Sequence, residues 1–270
     1  MPDLSSAEYL NYLLEILPSL REVIQSSRQA GLASEVKADG SWVTIADRAT
    51  EKKFRELIQA RFKDHVVLGE EYGLDHKKSD WLWVIDPIDG TAEFRTGMPE
   101  WGTVIGLFKA GHPVTGLIDC SDLELVTYAA KGLGAWLDRA GEKSKIELPD
   151  IEEPESHKIR CGISPSFSFK RFGQDRSQLF HKLTDRFTNQ RILHNCYIHN
   201  LVFSGALDLG IEWRVRLWDI ASLQLITEEA GGKFVICEQY EFQGDQIYSV
   251  VFGRPALVDA ALKEIHESGC

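Results

Sequence analysis

The chain has 270 residues, 43% of them hydrophobic, and a formal net charge of −11. This length predicts a folded protein with either one large core or two packed halves. No run approaches the roughly 20 apolar residues of a membrane helix, and the first residues lack a signal-peptide pattern, so we expect a cytoplasmic protein without a membrane partner. The acidic balance also argues against a nucleic-acid partner, because it repels polyanions.

The cysteines are scattered, odd in number and never in a Cys-x-x-Cys pair. Neither a disulfide framework nor a thiolate zinc site is therefore indicated. We expect reduced and mostly buried thiols at Cys120, Cys161, Cys196, Cys237 and Cys270.

Two helices are predicted near the N-terminus. The first runs from about residue 7 to residue 30, because Ser5 and Glu8 have capping-box spacing and leucines recur on one face after them. The second starts near Thr44, whose hydroxyl can cap the helix. This start places Asp47 in the first helical turn.

Two buried-type strands follow, at residues 66–68 and 81–85, and acids appear where each pattern stops. Residues 102–137 alternate between short β-rich runs and turns, which predicts an antiparallel meander. The charged segment 139–158 is a candidate junction between an N-terminal half, residues 1–145, and a C-terminal half, residues 146–270, although a long surface loop explains it equally well.

The second half alternates helices with strands, which favours an α/β fold. Helices are predicted at 177–187, 195–207, 219–230 and 255–267, and strands at 209–213, 235–236 and 248–252.

The most informative motif is Asp86-Pro87-Ile88-Asp89-Gly90-Thr91, which follows an apolar strand. Pro87 removes an amide donor and fixes φ, so the chain is expected to turn and to direct both carboxylates and the Ile88 carbonyl at one point. Oxygen ligands of this kind suit hard cations. The amides of Gly90 and Thr91 then lie as at a helix N-terminus, where a phosphate can bind.

The motif fits two more common kinds of acidic turn less well. A surface Asp-Gly turn does not account for the buried-type strand that leads into the acids. A calcium loop of the EF-hand type requires acids at alternate positions before its glycine, and the motif lacks them.

This motif is one of four short segments that together resemble motifs of the inositol monophosphatase family. The order and spacing agree across nearly the whole chain for Gly69-Glu70-Glu71, Asp86-Pro87-Ile88-Asp89-Gly90-Thr91, Trp218-Asp219-Ile220-Ala221 and Glu229-Ala230-Gly231-Gly232. The resemblance implies an α/β (α+β) fold, a layered αβαβα sandwich of the inositol monophosphatase/fructose-1,6-bisphosphatase type. It also implies a homodimer and two or three Mg²⁺ ions in each active site.

Metal ligands carry over from the family by position. Glu70, Asp86 and the Ile88 carbonyl would bind one magnesium ion. Asp86, Asp89 and Asp219 would bind a second, with Asp86 bridging the two. Lithium sensitivity is expected on the same ground, since lithium would replace the second magnesium.

The resemblance also implies catalytic roles. Thr91 and Asp47 match the pair that orients and deprotonates the attacking water, and Glu70 touches the same water. Metal ions lower the pKa of bound water, so this weak base network would suffice for direct attack on a phosphate monoester.

Finer features resemble the histidinol-phosphate phosphatase branch, in the segments 37–44, 97–103 and 111–119. The expected substrate is therefore histidinol phosphate, a small phosphorylated metabolite of histidine biosynthesis. Glu212 matches the family acid that contacts the leaving alcohol. Asn195 falls near a second substrate contact, where this branch would be expected to carry an acid.

Several alternatives remain open. Inositol-1-monophosphatase and nucleotide 3′-phosphatase activities fit the same metal motifs, and the nucleotide branch shares the Lys-Ala-Asp opening. A metal-binding scaffold without turnover is the alternative from another class of function. A histidine metal site is not favoured, because His194 and His199 are five residues apart and do not share a helix face.

Overall fold

A computed structural model of the chain describes residues 4–31, 33–37, 42–151 and 158–268. Helix α1 spans Ser6–Gln29 and helix α2 spans Ile45–Arg61. Both begin with the predicted capping boxes, in which Ser5 pairs with Glu8 and Thr44 pairs with Asp47. The two N-terminal helices are thus confirmed to within a residue or two.

A hairpin lies between these two helices along the chain, and an eight-stranded sheet follows them. The hairpin pairs β1 (Ser34–Val36) with β2 (Trp42–Thr44). The sheet has the order β10-β9-β8-β7-β6-β5-β3-β4, and its strands from β5 to β10 form an antiparallel meander that includes the one predicted over residues 102–137. Its strands are β3 (Val66–Gly69), β4 (Gly73–Leu74), β5 (Trp81–Asp89), β6 (Gly102–Lys109), β7 (His112–Cys120), β8 (Leu125–Ala130), β9 (Ala135–Arg139) and β10 (Glu142–Lys145).

A five-stranded sheet forms the second half, in the order β12-β11-β13-β15-β14. Its strands are β11 (Arg160–Ile163), β12 (Asn189–Ile192), β13 (Leu209–Val215), β14 (Lys233–Phe242) and β15 (Asp245–Gly253). The remaining helices are α3 (Thr91–Thr96), α4 (Ser177–Arg186), α5 (Tyr197–Phe203), α6 (Leu223–Glu229) and α7 (Pro255–His266).

The elements stack in five layers. Helices α1 and α2 pack on one face of the first sheet through residues such as Leu13 and Phe54. Helices α5 and α6 lie between the sheets, where Ile198 belongs to the same buried cluster as Val104 of the first sheet and Phe252 of the second. Helices α4 and α7 cover the outer face of the second sheet. The result is the expected αβαβα sandwich.

Some sequence predictions were wrong in detail. Helix α5 is shorter than 195–207, and α6 begins at Leu223 instead of residue 219 because the preceding residues form a turn. Residues 139–148 are not a linker, since β10 pairs with β9 and the following Ile146 and Leu148 are buried. The rest of the proposed junction includes residues 152–157, which lie outside the described residues. The division at residue 145 stays a prediction.

None of the described helices combines the length and the apolar character that crossing a membrane would require.

Candidate active site

The two aspartates of the central motif lie on a continuous strand. Strand β5 continues through the motif to Asp89, so the expected end of the strand at Asp86 was wrong. Its pairing with β6 shifts register between Asp86 and Asp89, and this bulge supplies the bend that the motif was expected to make. The Ile88 amide donates to Asp86 Oδ1 at 3.0 Å, and Thr103 Oγ1 donates to the Pro87 carbonyl at 2.7 Å. We call residues 86–91 the acid corner.

The corner is anchored by the Ile88 side chain. Ile88 is fully buried in a small cluster with Phe94 and Trp101, so its carbonyl is held at the surface of the cluster. Thr91 Oγ1 lies 3.1 Å from that carbonyl oxygen and 3.2 Å from Asp47 Oδ1. The predicted contact between Thr91 and Asp47 is therefore present.

Gly90 joins the strand to helix α3. Its φ of +94° lies in the left-handed region, and an added Cβ would stand 3.0 Å from Asn195 Nδ2 and 3.2 Å from the Glu100 carbonyl oxygen. Glycine is therefore needed both for conformation and for space. It leaves the Gly90 and Thr91 amides at the start of α3, as predicted.

Glu70 is positioned by a second carboxylate that the sequence analysis missed. Glu51 is fully buried on α2, and its oxygens accept the amides of Glu71 at 2.7 Å and Tyr72 at 3.2 Å. Arg55 donates to the same carboxylate at 2.7 Å. A Cβ on Gly69 would stand 2.2 Å from Glu51 Cδ, which explains the glycine. Glu51 thus fixes the turn on which Glu70 lies.

Asp219 approaches the corner from the second half of the chain. The turn before α6 packs directly on the first sheet, where a Cβ on Gly106 would meet the Ala221 carbonyl oxygen at 2.2 Å and one on Gly116 would meet Ser222 Cα at 2.9 Å. Asp219 Oδ2 accepts the Arg216 amide at 2.7 Å. Close packing between the halves therefore places Asp219.

One cavity of about 410 Å³ brings these groups together. Asp47 does not line it and reaches it through Thr91. The predicted site residues among its lining are Glu70, Asp86, Ile88, Asp89, Gly90, Thr91, Asn195, Glu212 and Asp219.

The carboxylates in the cavity are buried and repel one another. Burial, reinforced by Glu70, raises the pKa of Asp219 to about 7 and that of Asp86 well above its ordinary value. Burial followed by the charge of Asp219 does the same to the pKa of Asp89. Burial also raises the pKa of Asp47 to about 6. Buried acids this close together therefore require positive charge nearby if they are to be ionised at the same time.

Part of that positive charge comes from Lys37, whose Nζ lies 2.8 Å from Glu70 Oε1 and 2.6 Å from Glu71 Oε1. Asp89 and Asp219 instead accept backbone amides. Within the described residues, no three acid, histidine or cysteine side chains are already converged as metal ligands. The acids share a cavity without forming a closed cage.

Another part of the cavity lining is basic and aromatic. We call Phe167, Arg171, Arg214 and Arg216 the arginine wall. The guanidinium carbons of Arg171 and Arg216 lie 4.7 Å and 5.6 Å from the centroid of one ring, that of Phe172. Sequence analysis did not identify this wall.

Arg214 joins the wall to β13. It is 1% exposed, and its Nη1 donates to the carbonyls of Phe169, Arg171 and Gln174. Its φ of +59° is unusual for an arginine, so the backbone here is held by its surroundings. Arg214 therefore fixes the loop that carries Phe167 and Arg171.

The two predicted substrate contacts differ. Glu212 lines the cavity from β13, with Oε2 2.6 Å from His199 Nε2. Asn195 also lines it, but Nδ2 donates to the Glu100 carbonyl at 2.6 Å and Oδ1 accepts the Tyr197 amide at 3.1 Å. Asn195 thus bonds mainly within the protein.

The missed residues carried only weak signals. Glu51 stands four residues after Asp47 on the face of α2 that carries Phe54 and Ile58, so a charge on a core-facing stripe was the clue. Arg214 is a charge within a fully buried strand. The partners of such residues come from distant segments and cannot be found from spacing.

Comparison with known proteins agrees with the fold and the motifs. The model of the inositol monophosphatase family matches residues 7–269. The histidinol-phosphatase of Mycobacterium tuberculosis is 33% identical over 203 residues, covering 75% of this chain and 76% of that protein. The chloroplastic bifunctional phosphatase IMPL2 of Arabidopsis thaliana is 30% identical over 233 residues, which cover 86% of this chain and 65% of the length of that relative.

A solved structure shows the same fold. An IMPase/NADP phosphatase complexed with Mg²⁺ and phosphate superposes with a TM-score of 0.79 at 19% identity, covering 96% of this chain and 95% of that one. Fold and family together define a phosphoric monoester hydrolase. The chain belongs to the inositol monophosphatase family.

Proposed function

We propose that the chain is a magnesium-dependent phosphatase that hydrolyses a small phosphate monoester. The observation that carries the proposal is that Glu70, Asp86, Asp89 and Asp219 line one cavity together with Ile88, Gly90 and Thr91. A metal-binding scaffold would share the acids. It would not need Thr91 bonded to Asp47 beside them.

The residues present fit the metal. The set consists of oxygen donors, which Mg²⁺ prefers, and burial together with the neighbouring carboxylates raises the pKa values of Asp86, Asp89 and Asp219, so a bound cation would relieve their repulsion. Glu70, Asp86 and the Ile88 carbonyl would hold one ion, and Asp86, Asp89 and Asp219 a second. Bound magnesium would supply positive charge for the phosphate oxygens and lower the pKa of water.

The protein's own groups orient the reactants. The Thr91 hydroxyl is held between Asp47 Oδ1 and the Ile88 carbonyl, so its oxygen has a fixed place beside the acids. Asp47, with its pKa raised to about 6, can accept a proton near neutral pH through Thr91. The Gly90 and Thr91 amides would bind the phosphate.

The test is phosphate release from p-nitrophenyl phosphate with magnesium and with a chelator. We expect turnover only with magnesium. Magnesium binding without turnover would support the scaffold alternative.

Among monoesters we propose histidinol phosphate. Glu212 presents a carboxylate to the cavity, and a cationic amine on the leaving alcohol can pair with it. The similarity to a histidinol-phosphatase supports this choice without deciding it. The test compares kcat/KM for histidinol phosphate, myo-inositol 1-phosphate and adenosine 3′,5′-bisphosphate, and we expect histidinol phosphate to have the highest value.

The arginine wall favours a second candidate, a substrate whose leaving group carries another anion. Arg171 and Arg216 both line the cavity and both lie against the ring of Phe172, so a second phosphate would find positive charge there. The same comparison separates the candidates, because adenosine 3′,5′-bisphosphate would then have the highest value.

We further propose a cytoplasmic homodimer that is inhibited by lithium. Light scattering at micromolar protein would give the mass. A phosphate-release assay that is insensitive to lithium would show that the second metal position departs from the inositol-phosphatase pattern.

A further inference from the structure

A buried histidine contacts the acid that faces the leaving group. His199 lies on α5 and is fully buried, and its Nε2 is 2.6 Å from Glu212 Oε2. Glu212 is 3% exposed and lines the cavity from β13. The pair lies beside the proposed metal ligands and includes none of them.

The proton between these two atoms can be placed by counting hydrogen bonds. His199 Nδ1 is buried and has no hydrogen-bond partner among the described residues. If Glu212 donated to Nε2, or if the ring were doubly protonated, Nδ1 would carry a buried N–H without an acceptor. A buried nitrogen acceptor without a hydrogen bond costs less free energy than a buried N–H donor without one. Nε2–H therefore donates to the Glu212 carboxylate.

The imidazole is held in one orientation. Its ring meets that of Phe252 edge to face, with centroids 5.3 Å apart. The Phe252 ring occupies the space of a side chain at Gly210, where a Cβ would stand 2.2 Å from Cζ. His199 thus cannot follow Glu212 if the carboxylate turns. One oxygen of Glu212 is fixed, and the other is left for the cavity.

We propose that His199 is a positioning residue for substrate selectivity, which holds Glu212 so that its second oxygen accepts a hydrogen bond from a donor on the leaving group. The proposal rests on the phosphatase function proposed above. It defines the substrate class as monoesters of alcohols that carry a nearby amine or hydroxyl group. Esters whose leaving group lacks such a donor gain nothing from the pair.

The experiment compares His199→Phe with the parent enzyme on histidinol phosphate, myo-inositol 1-phosphate and p-nitrophenyl phosphate. The nitrophenyl leaving group has no donor. We expect kcat/KM to fall about tenfold on whichever donor-bearing ester the parent hydrolyses, mainly through KM, and by less than about twofold on p-nitrophenyl phosphate. His199→Gln keeps an amide donor and should recover part of the loss.

The matched control is Val202→Ala, which removes buried volume from the same helix and leaves both side chains of the pair unchanged. It should lower kcat/KM on all esters alike or not at all. In a Glu212→Gln background, His199→Phe should cause no further substrate-dependent loss, because the two residues act as one unit.

Two results would overturn the inference while the phosphatase function stands. One is an equal loss on all esters in folded His199→Phe, and the other is additive losses in the double variant. If His199→Phe does not fold, His199→Gln and Glu212→Gln decide, since Glu212→Gln must show the same dependence on the donor. A parent protein without magnesium-dependent turnover on any ester would overturn the proposed function first.

Discussion

The acid corner and the arginine wall both line one cavity, but they are built in different ways. The corner, residues 86–91, is one continuous stretch of strand, bulge and helix start. The wall combines residues of β13 with residues of a neighbouring loop, and Arg214 holds that loop by hydrogen bonds to three of its carbonyl groups. Local sequence determines the first, and long-range contacts determine the second.

Their chemical tasks differ in the same way. All phosphate monoesters present the same phosphate to the corner, whereas the alcohols that meet the wall and Glu212 differ in charge and shape. Changes in the corner should therefore lower kcat for every substrate. Changes in the wall should act on KM and depend on the substrate.

The largest effect is expected from Asp86→Asn. Asp86 is the proposed bridging ligand, and its loss should lower kcat about a hundredfold or more for every ester because two close cations need its negative charge. Phosphate release and circular dichroism measure the effect. Asp185→Asn on the exposed side of α4 is the control for charge alone. Activity above about a tenth of the parent value would contradict the assigned role.

Thr91→Ala should come next, with kcat lowered about ten- to a hundredfold and KM little changed. The hydroxyl that bonds Asp47 and Ile88 is lost, while the backbone amide at the start of α3 remains. Thr91→Ser is the control, because it keeps the hydroxyl and should keep most of the activity. An unchanged kcat with a much higher KM would make Thr91 a binding residue instead.

The difference between the acid corner and the arginine wall explains which features could be predicted from the sequence. Capping boxes at Ser5 and Thr44 and the motif at Asp86 depend on residues within a few positions, and all were predicted from spacing. Helix α6 began late because the Asp219 carboxylate accepts the Arg216 amide and holds a turn before the helix.

Strands β11 and β12 were missed because they are short and lie among polar residues. Glu51, His199 and Arg214 were missed because the contacts that connect them to the site, with Glu71, Glu212 and Phe169, reach residues 13 or more positions away along the chain. Burial of a charge is visible only when the fold is known. The substrate side of the site is therefore the part that the sequence predicted least.

Arg214→Lys tests whether the wall depends on one side chain. A lysine has no second arm to replace Nη2, which donates to the Gln174 side chain while Nη1 donates to the three carbonyls, so the loop at residues 168–176 should loosen. We expect KM to rise several-fold on the best substrate and less on p-nitrophenyl phosphate, with a stability loss of about 1–3 kcal/mol. Kinetics and hydrogen exchange of the loop amides measure both. A uniform fall in kcat would show that the wall also shapes the corner.

The smallest effect expected is a pH-dependent shift in melting temperature when magnesium binds. Without metal, the folded state holds Asp219 with a pKa of about 7 and Asp47 with a pKa of about 6, both raised by burial, whereas unfolded aspartates titrate near pH 4. Between about pH 4 and pH 7 the folded state thus binds more protons than the unfolded state, and the free energy of unfolding falls as pH rises.

Magnesium should reverse this trend, because its ligands must be ionised and binding releases the protons. The gain in melting temperature on adding magnesium should therefore be a few degrees larger at pH 8 than at pH 5.5. Asp219→Asn removes one of the raised groups, so its metal-free protein should lose less stability between these two pH values than the parent does. Differential scanning calorimetry with and without magnesium gives all of these numbers. A magnesium shift equal at both pH values would mean that Asp219 and Asp47 are already ionised without metal at pH 5.5, and the acidic part of the site would then differ more in charge from the arginine wall than the raised pKa values indicate.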